Sequence, residues 1–177
     1  KGIALHDGFA SSGKSRLTFD GVISRDGQTD FTFEAAPLAL HELSPIEGVE
    51  VAGTGPVTGG RITGPVGALL VEGDVELAAF RVAGLDFGDG AGPVRLSFAE
   101  PSIASPGTRF VRGATGWAGA WRVAFAEGGR LEVGSRERPI TITGGRVEDL
   151  LGIGVVTLPI AASGELGDGS LWLAGPF

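Results

Sequence analysis

The sequence contains no cysteine and only two lysines, Lys1 and Lys14, among 177 residues. Without cysteine the chain has no disulfide framework, no thiol nucleophile and no zinc–thiolate site, and it can reside in any redox compartment. Its formal net charge of −7 argues against nucleic acid as a partner, because nucleic-acid binders need a basic face. No apolar run within these residues is long enough to cross a bilayer as a helix.

Residues for catalysis and metal binding are also scarce. His6 and His41 are the only histidines, and neither stands at a ligand spacing such as H-x-x-x-H. The acidic pair Asp86 and Asp89 stands near glycine, but a calcium loop needs several oxygen ligands at fixed spacing. No Ser-His-Asp set is evident. We therefore predict no catalytic residue, no metal, no cofactor and no enzymatic activity.

Glycine is abundant, with 32 residues, and it separates short runs that alternate between apolar and polar positions. In Arg16–Ser24, Leu17, Phe19 and Ile23 share one parity, which is the period of a strand and not of a helix. Asp26-Gly27 marks a turn, and Thr29–Ala35 alternates again through Phe31 and Phe33. Together these segments predict a hairpin.

The same pattern recurs along the chain and predicts an all-β protein, organised as one β domain over residues 1–177. Further strands are predicted at 93–99, 120–126, 131–133, 140–142, 156–160 and 171–173. In Gly73–Gly88 the apolar positions change parity, which predicts a bulge near Ala78-Ala79 and a break at Gly84. Only residues 38–43 and 147–151 suggest a short helix.

Residues Gly8–Ser15 read GFASSGKS and match the phosphate-binding loop of nucleotide-using proteins letter for letter. That loop needs a helix after it, so that free N–H groups at the helix N-terminus face the phosphates. Here an alternating stretch follows at once. We therefore predict a polar hairpin connection or a fraying loop, and no nucleotide partner.

The apolar positions of the predicted strands form one face, and the residues themselves leave two arrangements open. Two sheets could close on each other as a β-sandwich, which the rarity of large exposed apolar patches favours. Alternatively, one curved sheet could keep an open groove that holds lipid. The residues predicted to line this groove or core are Leu17, Phe19, Phe31, Phe33, Leu96, Phe98, Trp121, Val123 and Phe125.

The stretch from Phe33 to Phe87 has a particular order. A strand leads into PLALHELSPI, followed by GTGPVTG, a Gly-Pro loop and VEGDVELAAFRVAGLDFG. This order resembles the repeating strand units of the bacterial AsmA-like superfamily, especially those of the translocation and assembly module (TamB) type. The segment SGELGDGSLWLAG is similar to the start of another such unit. The type II secretion protein N has a similar sequence style.

The resemblance implies an antiparallel multi-stranded curved sheet, a half-pipe or β-taco with an apolar interior. It implies phospholipid or another acyl lipid as ligand, envelope proteins as partners, and a periplasmic location in a parent anchored in the inner membrane. Because the chain begins at Lys1, we expect a segment of a longer protein. The alternative is a structural or protein-interaction β domain, such as a component of a type II secretion system.

Overall fold

A computed structural model describes residues 2–42, 49–126, 129–146, 149 and 165–175. Its strands are β1 (Ile3–Ser12), β2 (Ser15–Ile23), β3 (Gln28–Ala39), β4 (Val51–Pro65), β5 (Leu70–Val82), β6 (Leu85–Ser97), β7 (Ser102–Arg112), β8 (Thr115–Ala124), β9 (Arg130–Val133), β10 (Ile140–Thr143), β11 (Gly145–Arg146), β12 (Glu165–Leu166), β13 (Gly169–Leu171) and β14 (Leu173–Gly175). A 3₁₀ turn, Leu40–Glu42, follows β3.

Twelve of the strands form one antiparallel sheet, in which β1 to β8 pair in chain order. Strand β8 then pairs with β10 through its first half and with β9 through its second half. In the same way β13 pairs with β10, and β14 with β9. Strands β9 and β10 thus continue each other along one edge of β8. The short strands β11 and β12 pair separately.

The sheet curves, with its apolar face on the inside. The rings of Phe80 on β5 and Trp121 on β8 have centroids 5.7 Å apart. Three strand spacings separate β5 from β8, about 14 Å in a flat sheet. Curvature toward the apolar face brings the two rings together. Among the described strands the sheet does not close into a barrel.

Bulges interrupt the pairing and bend the strands. Register shifts occur between Leu5 and Gly8 on β1, between Thr58 and Arg61 on β4, and between Leu77 and Phe80 on β5. Each bulge contains a residue with positive φ, namely Asp7, Gly59 and Ala79. Because a bulge adds local twist and bend, several of them along neighbouring strands curve the whole sheet.

Much of the predicted architecture is confirmed. The all-β curved sheet, the β2–β3 hairpin, the bulge at Ala78-Ala79 and the break at Gly84 are all present. A β-sandwich is not present among the described residues, since strands β1 to β10 belong to one sheet. Residues 156–160, predicted as a strand, lie outside the described residues, as does most of 147–151.

Several strands were not foreseen. Strand β1 covers the stretch interpreted as a short run followed by a loop, and the long strands β4 and β7 were not among the strands predicted from alternation. Strand β7 reads SIASPGTRFVR, where Pro106 and Gly107 hide the alternation. These two residues lie in a register shift against β8, between Ser105 and Thr108. Bulged strands are hard to see in a sequence because the bulge breaks the period of two.

Candidate functional site

The concave apolar face is the most extensive feature of the molecule, and its two ends differ. One end, here called the aromatic end, carries the hairpin turns at 13–14, 83–84 and 113–114. There the side chains of Phe80, Phe87, Phe110 and Trp117 are almost fully buried. The Phe110 and Trp117 rings stack with centroids 4.5 Å apart. This end is therefore filled with protein side chains.

Glycines make room for these rings. Gly90 on β6 pairs with Phe110 on β7, and a Cβ added to Gly90 would lie 2.5 Å from Phe110 Cε1. Gly60 on β4 pairs with Phe33 on β3 in the same way, with 2.6 Å from the added Cβ to the ring. A ring that lies over a neighbouring backbone fills the inside of a curved sheet, where space is limited.

The opposite end, here called the open end, carries the turns at 24–27, 66–69 and 98–101. One cross-strand row of apolar residues crosses the concave face near this end. From β3 to β9 its members are Phe31, Ile62, Val71, Leu96, Ile103, Val123 and Leu131. The first four are half-buried and the last three are buried. The row is therefore accessible from β3 to β6 and covered from β7 to β9.

The residues predicted for the groove divide between these regions. Leu17, Phe19, Phe31, Leu96 and Phe125 are half-buried. Phe33, Trp121 and Val123 are buried, and Trp121 belongs to the aromatic cluster.

Phe98 lies just beyond β6, is 36% exposed, and its N–H bonds to the carbonyl of Leu69 across the open end. The nine residues are therefore neither uniformly exposed nor uniformly buried.

Several residues of the concave face were missed. Phe110 and Trp117 were not assigned to it, although they lie three residues before and three residues after the turn at 113–114. Phe80 and Phe87 flank the turn at 83–84 with the same spacing. An aromatic pair placed symmetrically around a Gly-containing turn is the signal that could have identified them.

The convex face bears most of the charges, along with a few exposed apolar side chains such as Phe9 and Val22. Directly behind the apolar row stand Arg61, Glu72, Arg95 and Arg122, each adjacent in sequence to a member of that row. Arg61 Nε lies 3.0 Å from Asp30 Oδ1, and Arg95 Nε lies 2.7 Å from Glu72 Oε1. Hydrogen bonding to Arg61 lowers the pKa of Asp30. Exposed pairs of this kind keep one face of the sheet in water and contribute little stability.

The stretch that matches a phosphate loop forms the β1–β2 hairpin, with its turn at Gly13-Lys14. The predicted strand after it is confirmed as β2. The N–H groups of Lys14 and Ser15 donate to the Glu42 carboxylate, at 2.9 and 3.1 Å. Hydrogen bonds from the Lys14 N–H and then from the Ser15 hydroxyl lower the pKa of Glu42.

Two polar groups within the apolar interior lack partners. The indole Nε1 atoms of Trp117 and Trp121 are buried, and neither finds an acceptor among the described residues. The described residues contain no group of three or more His, Asp or Glu side chains placed to hold a metal. In the part of the chain that the structure describes, no helix has the length and apolar character needed to cross a membrane.

Comparison with known proteins finds no matching family model, no matching curated protein and no matching solved structure.

Proposed function

We propose that this chain is a lipid-binding segment of a cell-envelope protein, and that the open end of its concave face receives an acyl chain. The observation that carries the proposal is the accessible half of the cross-strand row, formed by Phe31, Ile62, Val71 and Leu96. The envelope and periplasmic location rests on the sequence resemblance to the AsmA-like superfamily. Envelope proteins are the proposed partners on the same basis.

The physical argument concerns what would cover these four side chains. They lie on one concave surface and are only partly buried, while their neighbours Ile103 and Val123 on the same row are buried. Ile62, Val71 and Leu96 also pack against the core. Covering apolar area stabilises by about 25 cal/mol per Å². An acyl chain is apolar along its whole length and needs no hydrogen-bonding partner in the groove.

The charge pattern also favours the concave face as the side on which lipid binds. The charged side chains behind the row point to the convex face, so that a lipid on the concave face meets few of them. The shallow hollow on the convex face is flanked by the charged side chains of Glu72, Asp74 and Arg95, which suit an acyl chain poorly.

The test is lipid binding measured with a matched pair of substitutions. Val71→Asp places a carboxylate in the accessible row, whereas Val22→Asp makes the same change on the convex face. We expect Val71→Asp to weaken binding of a fluorescent phospholipid by about tenfold or more, since 1.4 kcal/mol corresponds to tenfold. Val22→Asp should bind as the unsubstituted protein does.

Denaturant midpoints for both variants show whether they remain folded. Native mass spectrometry and organic extraction of the purified protein provide an independent check, because a groove segment should carry lipid or detergent. Equal lipid binding by the two variants, both folded, would contradict the proposal.

A second candidate function is protein interaction through the edge strand β1. This strand spans ten residues, pairs on one side with β2, and exposes Ile3 at 63% and Phe9 at 64%. An unpaired edge can receive a strand of another protein. The bulge at His6 and Asp7 weakens this candidate, because bulges commonly protect sheet edges from pairing. Amide exchange of β1, slowed by a partner and unchanged by lipid, would support it.

A further inference from the structure

The β1–β2 turn holds a carboxylate in a complete set of donors. Glu42 Oε1 accepts the Lys14 N–H at 2.9 Å, and Oε2 accepts the Ser15 N–H at 3.1 Å. The Ser15 hydroxyl donates to Oε2 at 2.8 Å and accepts the Ala39 N–H at 2.8 Å. The hydrogen bonds to the anion come from backbone groups and one hydroxyl, and none comes from the Lys14 ammonium. His41 Nε2 lies 4.0 Å from Glu42 Oε1.

Gly13 adopts a φ of 53°, which lets the turn present both N–H groups on one side. A side chain at Gly13 would collide with the Glu42 carboxylate. The turn is therefore shaped around the anion and not only around the hairpin.

A second turn in the same chain has a related arrangement. At the β7–β8 hairpin, Gly113 has a φ of 57°. Asp149 Oδ2 accepts the Ala114 N–H at 3.0 Å and lies 3.3 Å from the Thr115 hydroxyl. Thr115 Oγ1 accepts the Arg146 N–H at 2.8 Å, as Ser15 does from Ala39.

The correspondence extends to spacing. In both turns, glycine is followed two residues later by a buried hydroxyl, Ser15 or Thr115. In both turns, this hydroxyl accepts a hydrogen bond from a backbone N–H, that of Ala39 or Arg146. The residue that supplies the carboxylate, Glu42 or Asp149, follows three positions later in the sequence. In both turns the carboxylate accepts the N–H of the residue after glycine and lies within hydrogen-bond distance of the hydroxyl, whereas a second backbone N–H, that of Ser15, donates at the first turn. Different residue types thus use the same two donors at both turns, which points to a binding unit.

We infer that the Gly-x-Ser/Thr hairpin turn of this protein is an oxyanion-binding site, whose ligand class is the small carboxylate and whose resident ligand is the chain's own Glu42. The related turn at Gly113–Thr115 holds Asp149 through the Ala114 N–H and the Thr115 hydroxyl. Successive backbone N–H groups beside a glycine with positive φ form a concave site that suits an anion.

The test is occupation of the vacated site by an added anion. Glu42→Ala removes the carboxylate and leaves the Lys14 and Ser15 N–H groups in place. Acetate is titrated against the ¹⁵N-labelled variant, with sodium chloride at equal ionic strength as the control. We expect saturable shifts of the Lys14 and Ser15 amide resonances in Glu42→Ala, and none of comparable size in the unsubstituted protein, whose site is filled.

Three further measurements make the result decisive. The same titration with Lys14→Ala added to Glu42→Ala should give the same shifts, because the ammonium takes no part. Acetate should also raise the melting temperature of Glu42→Ala more than that of the unsubstituted protein. The Ala114 amide, whose site still holds Asp149, should not move. Amides of Lys14 and Ser15 that respond to acetate no more than to chloride, in a folded variant, would overturn the inference.

Discussion

At the scale of the residue, glycine decides where the large rings of the concave face can lie. Three glycines each pair with a phenylalanine on a neighbouring strand, namely Gly8, Gly60 and Gly90. A Cβ at any of these positions would collide with the phenylalanine ring. The high glycine content therefore reflects packing as well as turns.

The Gly90 position allows a direct test. Gly90→Ala should lower the free energy of unfolding by about 1–3 kcal/mol, the range for overpacking a tight interior, because Phe110 is buried and cannot move away freely. The control is Gly67→Ala, where an added Cβ meets nothing within 4 Å. Its effect should stay within about 0.5 kcal/mol, as for ordinary surface changes. Denaturant unfolding of both variants measures the difference, and equal midpoints would count against the role given to Gly90.

Glu42 predicts a pH dependence at the same scale. The hydrogen bond from the Lys14 N–H is the main cause that lowers the pKa of Glu42 below its ordinary value of 4.5, and the bond from the Ser15 hydroxyl is the next. A carboxyl with a lowered folded-state pKa contributes stability above its unfolded pKa, and that contribution disappears as the pH falls through the folded value. Glu42→Gln should therefore be less stable than the unsubstituted protein at pH 7, with a gap that narrows below about pH 4.5.

Denaturant midpoints of both proteins from pH 7 to pH 3 provide the measurement. The gap between the two is the quantity of interest, because Asp26 and Asp30 also have lowered pKa values and affect both proteins equally. A gap that stays constant or widens in acid would argue against the hydrogen bonds at Glu42.

At the scale of the element, the three bulges on β1, β4 and β5 share one construction. The N–H of the positive-φ residue in each bulge donates to a carboxylate of the neighbouring strand: Asp7 to Asp20, Gly59 to Glu34, and Ala79 to Asp89. At each bulge this N–H makes no backbone hydrogen bond of the sheet and donates to the side-chain carboxylate on the adjacent strand. These three bulges are thus held by acids on the paired strand.

Ala79 makes the bulge on β5 testable. It has a φ of 52°, a conformation that costs a residue with a Cβ about 1–2 kcal/mol and costs glycine little. Ala79→Gly should be neutral or stabilise by up to about 1 kcal/mol after the extra backbone entropy of glycine is subtracted. Ala78→Gly, one residue earlier and equally exposed, lacks this strain and should destabilise by about 0.5–1 kcal/mol. Midpoints that fall equally for both variants would refute the strain.

At the scale of the whole molecule, the concave face is a packed core over β7 to β9 and an accessible surface at the open end of β3 to β6. Val123 is fully buried, whereas Phe98 is 36% exposed at the open end. Val123→Asp would bury an unpaired carboxylate, which costs several kcal/mol, and should largely unfold a domain with a typical stability of about 5–15 kcal/mol.

Phe98→Asp is the matching substitution at the accessible end. Its carboxylate remains hydrated, so this variant should stay folded with a midpoint close to that of the unsubstituted protein. Circular dichroism and denaturant unfolding of both variants test the contrast. A folded Val123→Asp, or an unfolded Phe98→Asp, would place the boundary between core and accessible surface elsewhere.

The amino-acid sequence by itself determined the strands, the turns and the side of the sheet on which most side chains lie, because strict alternation is visible without coordinates. Leu96 and Arg95 are assigned to opposite faces by position alone, and the change of parity at Ala78-Ala79 revealed the bulge. Where a bulge or a proline hides the alternation, as in β7, the strand was missed.

Only the tertiary structure decided how strongly the sheet curves, and therefore which apolar residues are buried. Phe33 and Phe31 lie two residues apart on one face, yet Phe33 is buried and Phe31 is half-exposed. Curvature comes from bulges whose N–H groups are held by acids distant in the chain, such as Glu34 for Gly59. Such contacts depend on strands that are distant in the chain lying close in space, as does the contact between the rings of Phe80 and Trp121 across three strand spacings. The alternation of apolar and polar residues along one strand carries no information about them.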